Sequence, residues 1–218
     1  MGATRHLEDE EVPLLLEAFE GDSFDQRWTL RNQALVWLGI CTGFRISELL
    51  SLRVEDVYKF GEVKPEVSRP RRMMKNKKRG RTKRIFPPAQ KKIKAWIKQL
   101  KKDFNGTRKS FLFTSNKGGR LTKVQAWRIL NKAAVKARIP DDRIGTHTLR
   151  KTFANRMYDY YYDLSQKGAK IEVMRMLQIE LDHEDISTTY QYMEFKHEAE
   201  KPDDLFDKYV QKVEFAQS

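Results

Sequence analysis

The sequence predicts an α+β fold, mostly helical, with one small antiparallel sheet near the middle of its 218 residues. Three observations predict it. Apolar residues recur at helical spacing on both sides of the centre, as in Leu30, Ala34, Trp37, Leu38 and Cys41, and again in Ile93, Trp96, Ile97 and Leu100. Between residues 54 and 86 this spacing gives way to short β-branched runs, punctuated by Phe60-Gly61, by a Lys/Arg-rich turn with Gly80, and by Pro87-Pro88. A chain of this length buries roughly 70% of its unfolded surface without staples, and its single cysteine, Cys41, excludes an internal disulfide framework or a multi-Cys zinc site.

The elements follow in order. Val12, Leu15, Leu16 and Phe19 give residues 8–20 an amphipathic helix that tolerates Pro13 in its first turn. A second helix covers 27–41, and after the break at Gly43 a short one covers 46–50. Strands are expected at 54–58 and 63–67, and a hairpin pairs 71–75 with 82–86. Helices at 89–102 and 121–138 flank a short strand at 110–114. Helices at 146–163, 170–180, 184–193 and 203–212 complete the chain, with Gln166-Lys167-Gly168 as the clearest loop.

Charge is the first pointer to function. The net charge is +13, and residues 69–94 contain 13 Lys or Arg and no Asp or Glu. The rest of the chain is neutral, with 30 basic and 30 acidic residues. A neutral body with one concentrated cationic segment suits a polyanion, and binding through it would be salt-dependent. Lys77, Lys78, Arg79, Arg81, Lys83 and Arg84 are the candidate contacts to such a polyanion. The segment lacks the Trp/Phe/Leu face of an interfacial helix. No apolar run reaches 18 residues, and the first residues carry no apolar signal region.

Three stretches place cations beside apolar helix residues. In TGFRISELLSL (residues 42–52) a glycine turn puts Arg45 at a helix N-terminus, where Arg and dipole together can receive an anion, with Glu48 one turn on to hold the guanidinium. In HTLRKTFA (147–154) His147 and Arg150 share a face, a pairing suited to phosphate and to proton transfer. In LDHEDISTTYQY (181–192) His183 precedes Tyr192 by nine residues. A tyrosine, with a pKa of about 10, becomes a useful nucleophile when cations stabilise the phenolate. Taken singly, each stretch also reads as a surface pair, a capping histidine or a packing aromatic.

Taken together and in this order, the three stretches resemble the boxes of the tyrosine recombinase (phage integrase) catalytic domain, over roughly residues 7–193. The resemblance implies a site-specific recombinase that cleaves and rejoins DNA through a 3′-phosphotyrosine. Arg45 and Arg150 would clamp the scissile phosphate, with Glu48 supporting the first. His147 would assist proton transfer, His183 would bond the phosphate, and Tyr192 would attack. The family's lysine lies on the sheet hairpin; counting eight back from Pro87 lands on Arg79, and a longer turn restores Lys75, Lys77 or Lys78, with Lys75 ranked first. No metal or cofactor is implied. Double-stranded DNA is the implied partner, with a tetramer assembling on it, inside the cytoplasm and nucleoid of a prokaryote or on a viral element.

The resemblance further implies that residues 1–218 form a single catalytic domain, with 194–218 a tether and tail helix, and that the N-terminal core-binding domain is absent. In that tail, Leu205, Phe206, Tyr209 and Val213 form one apolar stripe that would dock in cis or on a neighbouring protomer. Two departures stand out. Asp182 replaces the glycine that usually precedes the third-box histidine, and the 33 residues from Arg150 to His183 exceed the family's spacing by roughly ten, the excess falling at 158–170. The alternatives are a catalytically silent DNA-binding module and a type IB topoisomerase or resolvase of the same chemistry.

Overall fold

Helix α2 (Thr29–Thr42) organises the molecule, because it buries residues on every side, polar Arg31, Asn32 and Gln33 included. The computed structural model describes residues 4–20, 25–68, 82–139 and 143–193. Their element order is α1 (Glu11–Glu17), α2, α3 (Ile46–Ser51), α4 (Val54–Val57), β1 (Tyr58–Lys59), β2 (Glu62–Val63), β3 (Glu66–Ser68), β4 (Thr82–Arg84), α5 (Pro87–Phe104), α6 (Lys123–Lys136), α7 (Thr148–Gln166), α8 (Val173–Leu181) and α9 (Ile186–Tyr190). The fold is mostly helical with small antiparallel sheets, as its sequence predicts.

On one side α2 packs Leu35 and Leu38 into a core with Leu49 of α3 and with Ile93, Trp96, Ile97 and Leu100 of α5. These α5 residues are the stripe that the 3.6-residue period marks out. On the other side Val36 and Ile40 meet Val12 and Leu15 of α1, Leu130 of α6 and Leu149 of α7. A third cluster joins Phe153 and Ala154 of α7 to Leu177 and Leu181 of α8 and to Met193. This third cluster seats the last box against the second.

Several local expectations are corrected. The strand expected at 54–58 is instead the single turn α4, with β1 beginning at Tyr58. Asp56 explains the difference: its carboxylate accepts the Arg53 N–H at 2.7 Å and caps that turn. The one expected sheet is two ribbons. In the first, Tyr58 pairs with Val63 and Lys59 with Glu62 around Phe60 and Gly61, both at positive φ, 51° and 86°, as a two-residue type I′ turn requires. In the second, Val67 pairs with Lys83 and Ser68 with Thr82, so β4 takes β3 as its partner. The expected partner strand, 71–75, lies outside the described residues, as does the tail helix at 203–212. The strand expected at 110–114 amounts to two isolated bridges, Arg53 with Phe111 and Thr114 with Arg120. The helix expected at 184–193 shrinks to α9. Between Arg150 and His183, α7 runs on to Gln166 and buries Tyr161 while Tyr160 and Tyr162 stay exposed.

Candidate active site

The site grows from the place where the C-terminus of α2 meets the N-terminal turns of α7. Gly43 ends α2 with φ +63°, and a Cβ there would lie 2.3 Å from the Phe153 ring. Only glycine allows both the left-handed turn and this close approach. The turn directs the Gly43 carbonyl at Arg150, whose Nη1 donates to it at 2.5 Å. Nη2 of Arg150 donates to the Leu181 carbonyl at 2.6 Å and lies 3.0 Å from His183 Nε2. One buried guanidinium therefore ties together the ends of α2 and α8 and the third-box histidine. Its Nε is buried without a hydrogen-bond partner among the described residues, the kind of donor a bound anion satisfies.

Arginine cannot accept a hydrogen bond, so His183 Nε2 is the acceptor and its proton sits on Nδ1, 3.0 Å from Thr189 Oγ1. Burial first, then the Arg150 and Arg45 charges, push the His183 pKa down to about 4. In this arrangement both ring nitrogens are engaged, and His183 holds Arg150 rather than presenting an N–H outward. The same causes lower Arg150 to about 10: burial first, then Arg45, opposed by Tyr192 and Glu48.

Arg45 precedes α3, and its backbone N–H is capped by the buried Glu48 carboxylate at 2.8 Å. The other Glu48 oxygen is 3.6 Å from Arg45 Nη1, whose side chain stays 41% exposed. Glu48 thus anchors the first guanidinium from beneath and leaves it open to a ligand. His147 is the exposed N-cap of α7. Burial of part of its ring, then Arg150, Arg45, Lys123 and Lys151, lower its pKa, so it is neutral at pH 7 and able to take a proton.

Tyr192 follows α9 in a turn, its N–H bonded to the Thr189 carbonyl at 3.0 Å. Its ring lies 5.0 Å from that of His183 and 5.4 Å from Arg150 Cζ. Tyr190, two residues earlier, is 48% exposed. Asp182 stands at φ +51° in the left-handed C-cap of α8, where glycine is the easy choice and Asp is tolerated. The departure from the family pattern therefore preserves the turn before His183.

The model of the phage integrase family matches residues 5–199. The chain belongs to the phage integrase family. It is similar to the tyrosine recombinase XerD of Corynebacterium glutamicum, 31% identical over 195 residues that cover 86% of this chain and 57% of that protein. XerD of Yersinia pestis is 28% identical over 168 residues, covering 75% and 49%. The chain spans about half the length of the curated relatives it matches. In fold it resembles the XerH site-specific recombinase bound to difH substrate in a pre-cleavage complex, with TM-score 0.67 and 22% identity over 90% of this chain and 52% of that one. It also resembles the catalytic domain of bacteriophage HP1 integrase, with TM-score 0.52 and 19% identity over 87% and 86% of the two chains.

Within this member of the phage integrase family, Arg45, Glu48, His147, Arg150, His183 and Tyr192 gather in one place through the contacts and charge couplings above. Lys75, Lys77, Lys78, Arg79 and Arg81 lie outside the described residues. Arg84 is exposed on β4. Lys83 is corrected: its side chain is 5% exposed and its ammonium is bound by Glu180, so it faces the protein. Sequence reasoning missed Thr189, the partner of the His183 ring, and Lys123 and Lys151, whose charges reach His147. The Ser/Thr run after His183 was the available signal for the first of these.

The depressed His183 pKa carries a stability consequence. The unfolded chain takes up this proton near pH 6.5, and the folded chain resists it down to about pH 4. The unfolded state binds more protons in that window, so stability falls as pH drops from 6.5 towards 4, by at most about 3.5 kcal/mol from this group. Urea unfolding of wild type and His183→Gln at pH 7 and pH 4.5 should show a steeper loss in the wild type. Equal losses would mean that His183 stays paired when charged.

Proposed function

We propose that this chain is the catalytic part of a site-specific DNA recombinase that breaks and rejoins strands without metal or ATP. The observation that carries the reading is the Tyr192 ring set against Arg150 and His183, with Arg45 close enough to lower the pKa of both. Arg45 and Arg150 would neutralise the non-bridging oxygens of one phosphate. The Tyr192 oxygen would attack phosphorus as its proton passes to a base, for which neutral His147 is the candidate. The bond from phosphorus to the 5′ oxygen would break, and that oxygen would leave as a hydroxyl after taking a proton from a lysine of the basic segment, Lys75 first. A 5′-hydroxyl of another strand would reverse these steps on the 3′-phosphotyrosine, which conserves the bond energy. A silent DNA-binding module is disfavoured, because a clamp of this kind has no use without a nucleophile, and one stands beside it.

The test is to trap and map the covalent species. A nicked suicide duplex that loses its 5′-hydroxyl fragment should leave a stable adduct whose modified peptide carries Tyr192. An adduct elsewhere, or none with any cognate-site duplex, would overturn the reading. Junction formation between two duplexes would then separate recombination from the relaxation of a type IB topoisomerase. The proposed assembly is a tetramer on DNA, with residues 7–193 as the recombinase core and the tail stripe docking in cis or on a neighbouring copy.

The basic segment gives a separate expectation. Replacing Lys77, Lys78, Arg79 and Arg81 together by Gln should weaken binding to any duplex. The slope of log affinity against log salt should become shallower by up to about 0.9 for each phosphate no longer neutralised. An unchanged slope would show that the segment faces away from DNA.

A further inference from the structure

Lys83 is a cation in an unusual place. It alternates along β4 with the exposed Thr82 and Arg84, and so turns inward on the face it shares with Ile85. Its Nζ donates to the Glu180 backbone carbonyl at 2.5 Å and to Glu180 Oε2 at 2.6 Å. Tyr161 donates to the other carboxylate oxygen at 3.2 Å.

Glu180 is the penultimate residue of α8, and the last carbonyls of a helix have no partners within it. The carbonyls of Gln178 and Ile179 are taken by the N–H groups of Asp182 and His183. Those of Glu180 and Leu181 receive side chains instead, Lys83 on the first and Arg150 on the second. Two cations from distant elements thus sit side by side on one helix end, where the macrodipole favours them. Lys83 Nζ also lies 5.5 Å from the centre of the Phe153 ring, which packs on Gly43, the other carbonyl held by Arg150. Lys83 therefore adjoins both backbone anchors of the buried arginine, and through Leu181 the turn that leads to His183.

We propose that Lys83 is a positioning residue for strand cleavage: capping the end of α8 beside Arg150, it fixes the Leu181 carbonyl and the His183 ring on which that arginine rests. The inference rests on the recombinase reading of the site. Lys83 holds no phosphate, so its loss acts on rate rather than on DNA affinity. A displacement of about 1 Å in a catalytic group costs up to about a hundredfold in rate.

The test compares wild type, Lys83→Met and the double variant Lys83→Met/Glu180→Met as full chains. Single-turnover cleavage of a suicide duplex, duplex affinity, unfolding temperature and the imidazole nitrogen NMR signals of His183 and His6 are measured for each. Both variants should cleave at least roughly tenfold more slowly while binding duplex within about threefold of wild type. The single variant leaves a carboxylate without its cation. The double removes that charge and should recover most of the unfolding temperature yet stay slow, because methionine cannot donate to the carbonyl of residue 180. The His183 signals should move in both, and those of His6 should not. Wild-type cleavage by either variant, loss of affinity equal to the loss of rate, unmoved His183 signals, or failure of both variants to fold would each overturn the proposal. If the wild type itself forms no adduct, the recombinase reading fails, and the His183 signals still report on Lys83.

Discussion

Tyr192→Phe should abolish the covalent protein–DNA adduct, a loss on the order of 10⁴-fold or more, as removal of a nucleophile requires. The change removes one oxygen and keeps the ring, so the packing of that ring against His183 and the cluster of Phe153, Leu177, Leu181 and Met193 survives. Duplex affinity should stay within about threefold, because phosphate contacts, and not the tyrosine hydroxyl, would supply most of the binding. Tyr190→Phe is the matched control. Tyr190 is exposed and ends α9, whereas Tyr192 lies in the turn beyond it, against Arg150. The adduct should form normally in Tyr190→Phe. An adduct that persists in Tyr192→Phe and disappears in Tyr190→Phe would reverse the assignment.

The three boxes were legible in the sequence because each is local: the residues that matter sit within one helical turn or one short loop. The α5 stripe was legible for the same reason, since Ile93, Trp96, Ile97 and Leu100 report a burial that period alone reveals. Residues 54–57 misled because Val54 and Val57 favour strands, while the cap that decides for a helix is a single contact from Asp56 to Arg53. Lys83 misled for a different reason. A count of charges along 69–94 says nothing about which way each side chain points, and on a strand neighbours point oppositely. Ile85, wholly buried two residues on, carried the signal that Lys83 shares an inward face. Its partner Glu180 is 97 residues away, and no local pattern announces that pairing. The neutral state of His183 was equally hidden, because it depends on burial and on the charges of Arg150 and Arg45, which come from distant parts of the chain.

The two arginines proposed as the phosphate clamp should separate when each is replaced by lysine. Both replacements keep the charge and lose the planar fork, so each should slow cleavage by on the order of 10²–10³. Their effects on folding should differ. Arg45 is 41% exposed and its backbone N–H, which makes the close Glu48 contact, is unaffected by the side chain, so Arg45→Lys should unfold within about 0.5 kcal/mol of wild type. Arg150 is 2% exposed and donates to the carbonyls of Gly43 and Leu181 as well as approaching His183. A single ammonium cannot reach two carbonyls and a ring nitrogen in the directions a guanidinium spans. Each buried acceptor left unpaired costs about 1–3 kcal/mol, so Arg150→Lys should be destabilised by roughly 2–4 kcal/mol. Urea unfolding and suicide-duplex cleavage on the same preparations give the two numbers for each variant. Equal stability losses in the two variants would mean that Arg150 does not tie α2 to α8, and wild-type cleavage by either would remove that arginine from the phosphate clamp.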